Sequence, residues 1–209
     1  MKKIVILIAL LISGFAMHAQ GQEAYMKAMG KALSTLGQDP QAAAGQFERI
    51  AAKVKDQWHP HYYAALSLIN QSFNAADLKT KDELTAKAQT FIDAAMELEP
   101  KNAEVVALQG YNYMAQLAAD PGSRGQMLSP KAMQQFGKAV SMAPENPRAL
   151  ALMAQMQYGT AQFFGSPTDK PCEMVKKSIP IFEAEEKGKS FDPTWGKEMA
   201  EGLVGQCNQ

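Results

Sequence analysis

The stretch Leu98-Glu99-Pro100-Lys101-Asn102-Ala103-Glu104-Val105-Val106 joins two alanine-rich apolar segments. Pro100 cannot continue a helix, because its ring clashes with the carbonyl four residues back and it has no N–H to donate. Asn102 can cap a new one, its side-chain oxygen accepting from the free amides of the next first turn. The stretch therefore reads as one helix ending and another beginning after a tight turn. The segment Met142 to Leu150, "MAPENPRAL", repeats that grammar with Pro144, Asn146 and Pro147. A joint used twice predicts a chain built from copies of one helical unit.

An offset of 44 makes the copies visible: it aligns Leu84 with Leu128, Lys87 with Lys131, Ala88 with Ala132, Ala95 with Ala139, Pro100 with Pro144 and Asn102 with Asn146. Ile92 with Phe136, Leu98 with Met142 and Val106 with Leu150 are conservative partners in the same frame. A fainter earlier copy is carried by Ala44, Ala51 and Val54. These residues resemble the tetratricopeptide repeat (TPR) of exported bacterial proteins, a pair of antiparallel helices with W-x2-L-G-x2-Y in helix A, A-x3-F in helix B and a closing proline. Val106, Gln109, Gly110 and Tyr113 stand at the helix A signature. Ala132, Phe136, Ala139 and Pro144 stand at that of helix B, as do Ala88, Ile92, Ala95 and Pro100. The resemblance implies an all-α superhelix of stacked helix pairs, in which small residues let helices approach and one large apolar residue fills each gap.

The standard unit has about 34 residues, so this one is enlarged. The surplus falls between helices A and B, in "SFNAADLKTKDEL" and "QLAADPGSRGQML". Helix A is expected to run on by a turn and a long loop to follow, with Asp120-Pro121-Gly122 as stop and Ser129-Pro130 as restart. Further helices are expected over Glu23 to Leu36, Pro40 to Lys55, Arg148 to Phe164, Pro171 to Lys187 with a kink near Pro180, and Thr194 to Gly205. No run alternates with period two for long enough to demand a strand. Residues 20–165 are read as the repeat array and 166–209 as a C-terminal helical cap.

The first residues, "MKKIVILIALLISGFAMHAQ", have the parts of a secretory signal: Lys2 and Lys3, an apolar run from Ile4 to Phe15, then small residues. Cleavage after Ala19 is expected, with Ala16 as the alternative. The run falls short of the ~20 residues that span a bilayer. The mature protein is therefore read as exported, periplasmic or secreted, with no membrane span. Of the 209 residues, 21 are basic and 21 acidic; without Lys2 and Lys3 the formal charge is −2. Such a chain has no basic face for a phosphate backbone, so nucleic acid is excluded as partner. Cys172 and Cys207 are the only cysteines. Delivered to an oxidising compartment they are expected to pair, a closure worth about 4 kcal/mol by chain entropy. A redox pair or thiolate metal site would ask for C-x-x-C or a nearby histidine, and neither is present.

Catalytic signatures are missing: there is no G-x-S-x-G elbow and no GxxxxGK[ST] loop. His59 and His61 in "WHPHYY" lack the further acidic or thiolate ligands of a closed metal site. The 13 methionines could serve as copper thioethers, but Met96, Met114, Met133, Met142, Met153 and Met156 fall inside the proposed helices, where they read as core filler. Trp58 and Trp195 read as packing residues. No cofactor is expected. The family resemblance places the second, fifth, ninth and twelfth residues of each helix A on a concave groove. These are Pro60, Tyr63, Ser67 and Asn70; Glu104, Ala107, Tyr111 and Met114; Arg148, Ala151, Gln155 and Tyr158. Tyrosine, methionine, arginine and amides make an adaptable peptide-binding surface. The expected function is thus a non-catalytic exported scaffold for a protein or peptide. A small-molecule or metal-binding accessory protein using His59 and His61 is the second reading. A module that self-assembles into homo-oligomers through an uncapped end is the third.

Overall fold

The computed structural model describes residues 21–185 and 191–208; the signal-peptide reading of residues 1–19 lies outside them. Among the described residues the chain forms nine helices and no strand. They are α1 (21–36), α2 (Pro40–Lys53), α3 (Trp58–Asn74), α4 (Leu78–Leu98), α5 (Ala103–Ala119), α6 (Pro121–Met142), α7 (Pro147–Phe164), α8 (Asp169–Ala184) and α9 (Lys197–Cys207).

Most helix starts follow from an Asp or Asn cap. Asp39 accepts from the Ala42 amide, Asp77 from Thr80, Asn102 from Glu104, Asp120 from Ser123 and Asn146 from Ala149, at 2.9–3.2 Å. Each such cap contributes about 1 kcal/mol. Pro40, Pro121 and Pro147 take the first helical positions, where a missing N–H costs nothing. Helices α2 and α3, α3 and α4, α4 and α5, and so on to α8 and α9 each pack against the next, while α3 touches α5 and α5 touches α7 directly. The odd-numbered helices thus form one continuous inner layer. α5, buried over Val105–Asn112, is its centre.

The repeat seams are equivalent. Ala88 and Ala132, Ile92 and Phe136, and Ala95 and Ala139 are all fully buried in one core. The tightest approach is at Gly110, where a Cβ would stand 2.5 Å from Cε1 of Phe136. Glycine there lets α5 lie against the ring of α6, with the pairing reversed one repeat earlier, where bulky Leu66 and smaller Ile92 hold the matching positions.

Four expectations are corrected. The surplus residues do not form long loops: the connection before α4 is Ala75–Asp77 and that before α6 is Asp120 alone. They lengthen the second helices at their starts, because Asp77 and Asp120 cap there. Pro130 therefore lies inside α6 and does not restart it; its missing amide loses one backbone bond on an exposed face. The apolar face of Leu128, Ala132, Phe136 and Ala139 holds the helix to the core on both sides of it. The segment from Thr194 does not begin a helix, and α9 starts only at Lys197, after Gly196 at φ 104°. Met142, read as core filler, is 37% exposed.

α8 packs on α7 as the second helix of a further hairpin, and α9 closes the end. Cys172 of α8 and Cys207 of α9 are joined as a disulfide, with Cα atoms 5.7 Å apart. A second apolar cluster lies beneath it: Ala151, Ala154 and Tyr158 of α7, Val175 and Phe182 of α8, and Ala200 and Leu203 of α9.

Candidate functional site

The inner layer carries all the groove positions, and the chain covers part of it with its own C-terminal segment. Residues 191–196, "FDPTWG", run across the starts of α1, α3 and α7 and the middle of α5. Phe191 meets Tyr25 edge-on at 5.6 Å and His59 at 6.1 Å, and its carbonyl accepts from the Tyr63 hydroxyl at 3.1 Å. Trp195 stacks on Tyr111 at 5.5 Å, and its indole N–H donates to the Tyr62 hydroxyl at 2.9 Å. His59 Nε2 stands 3.3 Å from Asp192 Oδ1.

Beneath this strap lies a buried charge cluster. Arg148, 4% exposed, donates from Nε to both Glu104 oxygens at 2.9 Å and from Nη1 and Nη2 to Glu185 at 2.9 and 2.5 Å. Its Nη1 also reaches the Trp195 carbonyl at 3.3 Å. Asn146 Nδ2 donates to Glu104 at 2.6 Å, and Tyr62 to its other oxygen at 3.3 Å. Burial opposes the charge of Arg148, but the hydrogen bonds and attraction of Glu185 and Glu104 outweigh it and push the pKa up. Burial also raises Tyr62 and Tyr63 well above the usual tyrosine range, and Tyr111 to about 12, so all three stay neutral donors. With its one guanidinium shared between two carboxylates, the cluster presents no free cation to a partner's carboxylate.

The twelve groove positions therefore divide. Pro60, Tyr63, Ser67, Ala107, Tyr111, Met114, Arg148, Ala151 and Tyr158 are buried, and Asn70, Gln155 and Glu104 are half-buried, Glu104 within the charge cluster. Tyr111 lies at the boundary, stacked on Trp195 on one side and 5.5 Å from the Phe73 ring on the other, its hydroxyl donating to Asn70 Oδ1 at 3.2 Å. Beyond it, towards the ends of the inner helices, come Asn70, Met114, Gln155 and Tyr158. Tyr158 accepts from Gln162 at 3.0 Å. The Oε1 of Gln155 is buried and has no partner in the protein.

Three aromatic side chains rim this open end and were not singled out by the sequence reading: Phe73 at the end of α3, 38% exposed, and Phe163 and Phe164 at the end of α7, 82% and 71% exposed. Their signal was available, since phenylalanine in the last turn of an inner helix has no following turn to cover it. Glu185, Phe191 and the part played by Trp195 were also missed. Asp192-Pro193 carried that signal, because a residue before proline avoids the helical region and the segment stays extended. His61 faces away from the strap and lies against Phe91 of α4. Among the described residues no three His, Cys, Asp or Glu side chains converge as a metal site. Nor is any helix among them long and apolar enough to cross a membrane.

Two open clefts are present among the described residues. One, of about 660 Å³, is formed by the α6–α7 joint and reaches Arg148 and Glu185 of the charge cluster. The other, of about 620 Å³, is lined by Asp82, Gln89, Tyr113, Arg124 and Met127 among others. At its lip Arg124 holds Asp82 bidentately at 2.6 and 2.8 Å, tying one repeat to the next.

The fold and the layout of its inner face define a TPR-like, all-α protein. Among solved structures the chain is similar to the HusA haemophore from Porphyromonas gingivalis, with a TM-score of 0.78 and 28% identity over 88% of this chain and 92% of that one. It is also similar in fold to TTC0263, a thermophilic TPR protein in Thermus thermophilus, with a TM-score of 0.57 and 14% identity over 88% of this chain and 84% of that one. No family model and no curated protein matches the chain. Neither of the two similar proteins is described as an enzyme.

Proposed function

We propose that this chain is a non-catalytic, exported binding protein that carries a large, flat, apolar molecule of the porphyrin class on the open half of its inner face. The observation that carries the reading is the likeness to a haemophore over nearly the whole of both chains. The residues at the open end suit such a cargo. Phe73 offers its exposed ring, backed by the buried Tyr111, Met114 and Tyr158, and the half-buried Asn70 and Gln155 add neutral polar atoms beside it. Phe163 and Phe164 extend the aromatic rim into solvent, where apolar area of this size invites a ligand. On this reading ring contact supplies the holding force. Export to an oxidising compartment, periplasmic or external, agrees with the pairing of Cys172 and Cys207.

A direct test is titration of the purified, oxidised chain with haemin and with metal-free protoporphyrin. Saturable one-to-one quenching of tryptophan emission is expected for both, and Phe73→Ala is expected to weaken it about tenfold, as loss of a ring contact does. Failure of both porphyrins to saturate would overturn the reading. A second reading, capture of an extended protein segment, is favoured by the strap itself: Phe191 to Gly196 of this chain lies on the inner face, held through tyrosine hydroxyls and ring stacking. In that case Tyr63, Asn70, Glu104, Tyr111, Met114, Arg148, Gln155 and Tyr158 together form the groove. A synthetic Phe191–Gly196 peptide that competes with porphyrin would favour it.

A further inference from the structure

The aromatic residues of the open end stand on the C-terminal segment, not only on the repeats. The contacts form a continuous file. The disulfide fixes the end of α9 to α8, and α9 packs Ala200 and Leu203 in one cluster with Ala151, Ala154 and Tyr158 of α7. At the start of α9 the chain turns through Gly196, whose φ of 104° suits glycine and where a Cβ would stand 3.3 Å from both Arg148 Cγ and Phe182 Cζ. That turn delivers Trp195. Its ring lies against Tyr111 at 28° to it, its N–H is tied to Tyr62, and its carbonyl is held by Arg148. Tyr111 in turn meets Phe73 and Asn70.

We infer that Trp195 is a positioning residue for the cargo site: it forms the back wall that holds Tyr111, and through Tyr111 Phe73, in the orientation that receives a flat ligand, with the Cys172–Cys207 bond fixing the wall in place. The inference rests on the reading of the open end as a cargo site. The physical ground is that a phenol ring at a groove boundary has two faces to satisfy. Trp195 takes one and Phe73 lies against the other, so the ligand meets the exposed side of the Phe73 ring, with Tyr111 and Trp195 stacked behind it. Without Trp195 the Tyr111 ring can rotate into the vacated space, and the ligand must then bear the cost of ordering it.

The experiment compares the oxidised wild type with Trp195→Ala, Trp195→Phe and the double variant Cys172→Ser/Cys207→Ser. Helicity and ring-proton spectra are measured beside the haemin titration. Expected are a loss of affinity of about tenfold for Trp195→Ala and near-complete rescue by Trp195→Phe, which keeps the stack and loses only the N–H to Tyr62. An intermediate loss is expected for the cysteine variant. In the wild type the Trp195 indole resonance should move at saturation although the ligand lies on the far side of Tyr111. Binding by Trp195→Ala as tight as the wild type, or an indole resonance unmoved at saturation, would sink the positioning role and leave the cargo reading intact. If the wild type binds no porphyrin, the cargo reading falls alone, and the ring resonances of Phe73 and Tyr111 decide the rest. A shift and broadening in Trp195→Ala upholds the positioning of the rim, and unchanged resonances overturn it. Should Trp195→Ala fail to fold, the wild-type indole shift decides by itself.

Discussion

The seam between α4 and α5 and the seam between α6 and α7 occupy equivalent places in successive repeats, yet they are filled with opposite chemistry. In the 44-residue frame Gln89, Gln109 and Asn112 of the first correspond to Met133, Met153 and Met156 of the second. The amides form a hydrogen-bonded network. Gln89 and Gln109 each donate to the other, at 2.6 and 2.9 Å, and Asn112 Nδ2 donates to Gln89 Oε1 at 3.0 Å and to the Thr85 carbonyl at 3.2 Å. The methionines only pack, Met156 fully and Met133 and Met153 partly. The alanines flanking both seams are the same and are equally buried, so helix spacing is set by Ala88, Ala95, Ala132 and Ala139. What fills the space between them is free to vary if it is self-consistent. Amides set the register of neighbouring repeats by direction; thioethers fill volume without directing it.

The largest effect is expected where the frame brings corresponding positions of opposite charge together. Glu104 and Arg148 are one repeat apart and bonded to each other, and Arg148 also serves Glu185. Arg148→Ala would leave two carboxylates without their shared cation in a largely buried site, and a loss of about 3–5 kcal/mol is expected in denaturant unfolding. A loss under about 1 kcal/mol would mean that water solvates this end of the array and that the strap is not closed over it.

The seams themselves offer a sharper, smaller test. Gln109→Met alone removes both bonds between Gln109 and Gln89, which keeps Asp93 and Asn112 as partners, at a cost of about 0.5–1.5 kcal/mol. The triple change Gln89→Met, Gln109→Met and Asn112→Met rebuilds the sister seam, and it should recover most of that loss. It also removes the Asn112 Oδ1, which is buried without a partner in the protein. If the triple variant is less stable than Gln109→Met, the two seams are not interchangeable, and the equivalence drawn from the alanines fails with it.

How far the sequence revealed this molecule follows from which interactions have short-range signatures. The helix joints were legible because Pro100, Asn102, Pro144 and Asn146 act within one turn, and the seams because Ala88, Ile92, Ala132 and Phe136 recur at fixed spacing. The start of α6 was misplaced because Pro130 reads as a breaker locally, whereas the burial of Leu128 and Ala132 on either side carries the helix through it. The strap was illegible for a different reason. Its partners are remote in sequence, Trp195 meeting Tyr62 across 133 residues, and no local pattern announces such a contact. The inner-layer positions could therefore be named by frame, while their covering could not. The aromatic rim was overlooked because the frame contains no position for Phe73 or Phe163.

The smallest expected effect extends the contrast between polar and apolar neighbours to one helix. His59 and His61 lie two residues apart on α3 and so face different sides, His59 towards Asp192 of the strap and His61 towards Phe91 of α4. Burial lowers the pKa of both below the ordinary 6.5; for His59 the bond to Asp192 opposes burial without cancelling it, while His61 has no such counterweight. A folded-state pKa below the unfolded one means that the unfolded chain takes up the proton first. Stability from these residues is therefore full above about pH 6.5 and declines as pH falls below it, until the folded-state pKa is passed. Chemical denaturation between about pH 7.5 and 5 should show this decline. His61→Gln should flatten it, and His59→Gln should flatten it further and remove the contact with Asp192. A stability that rises on acidification over that range, with the rise abolished by His59→Gln, would show that Asp192 governs His59 more strongly than burial does, and that the strap is fastened by an ion pair.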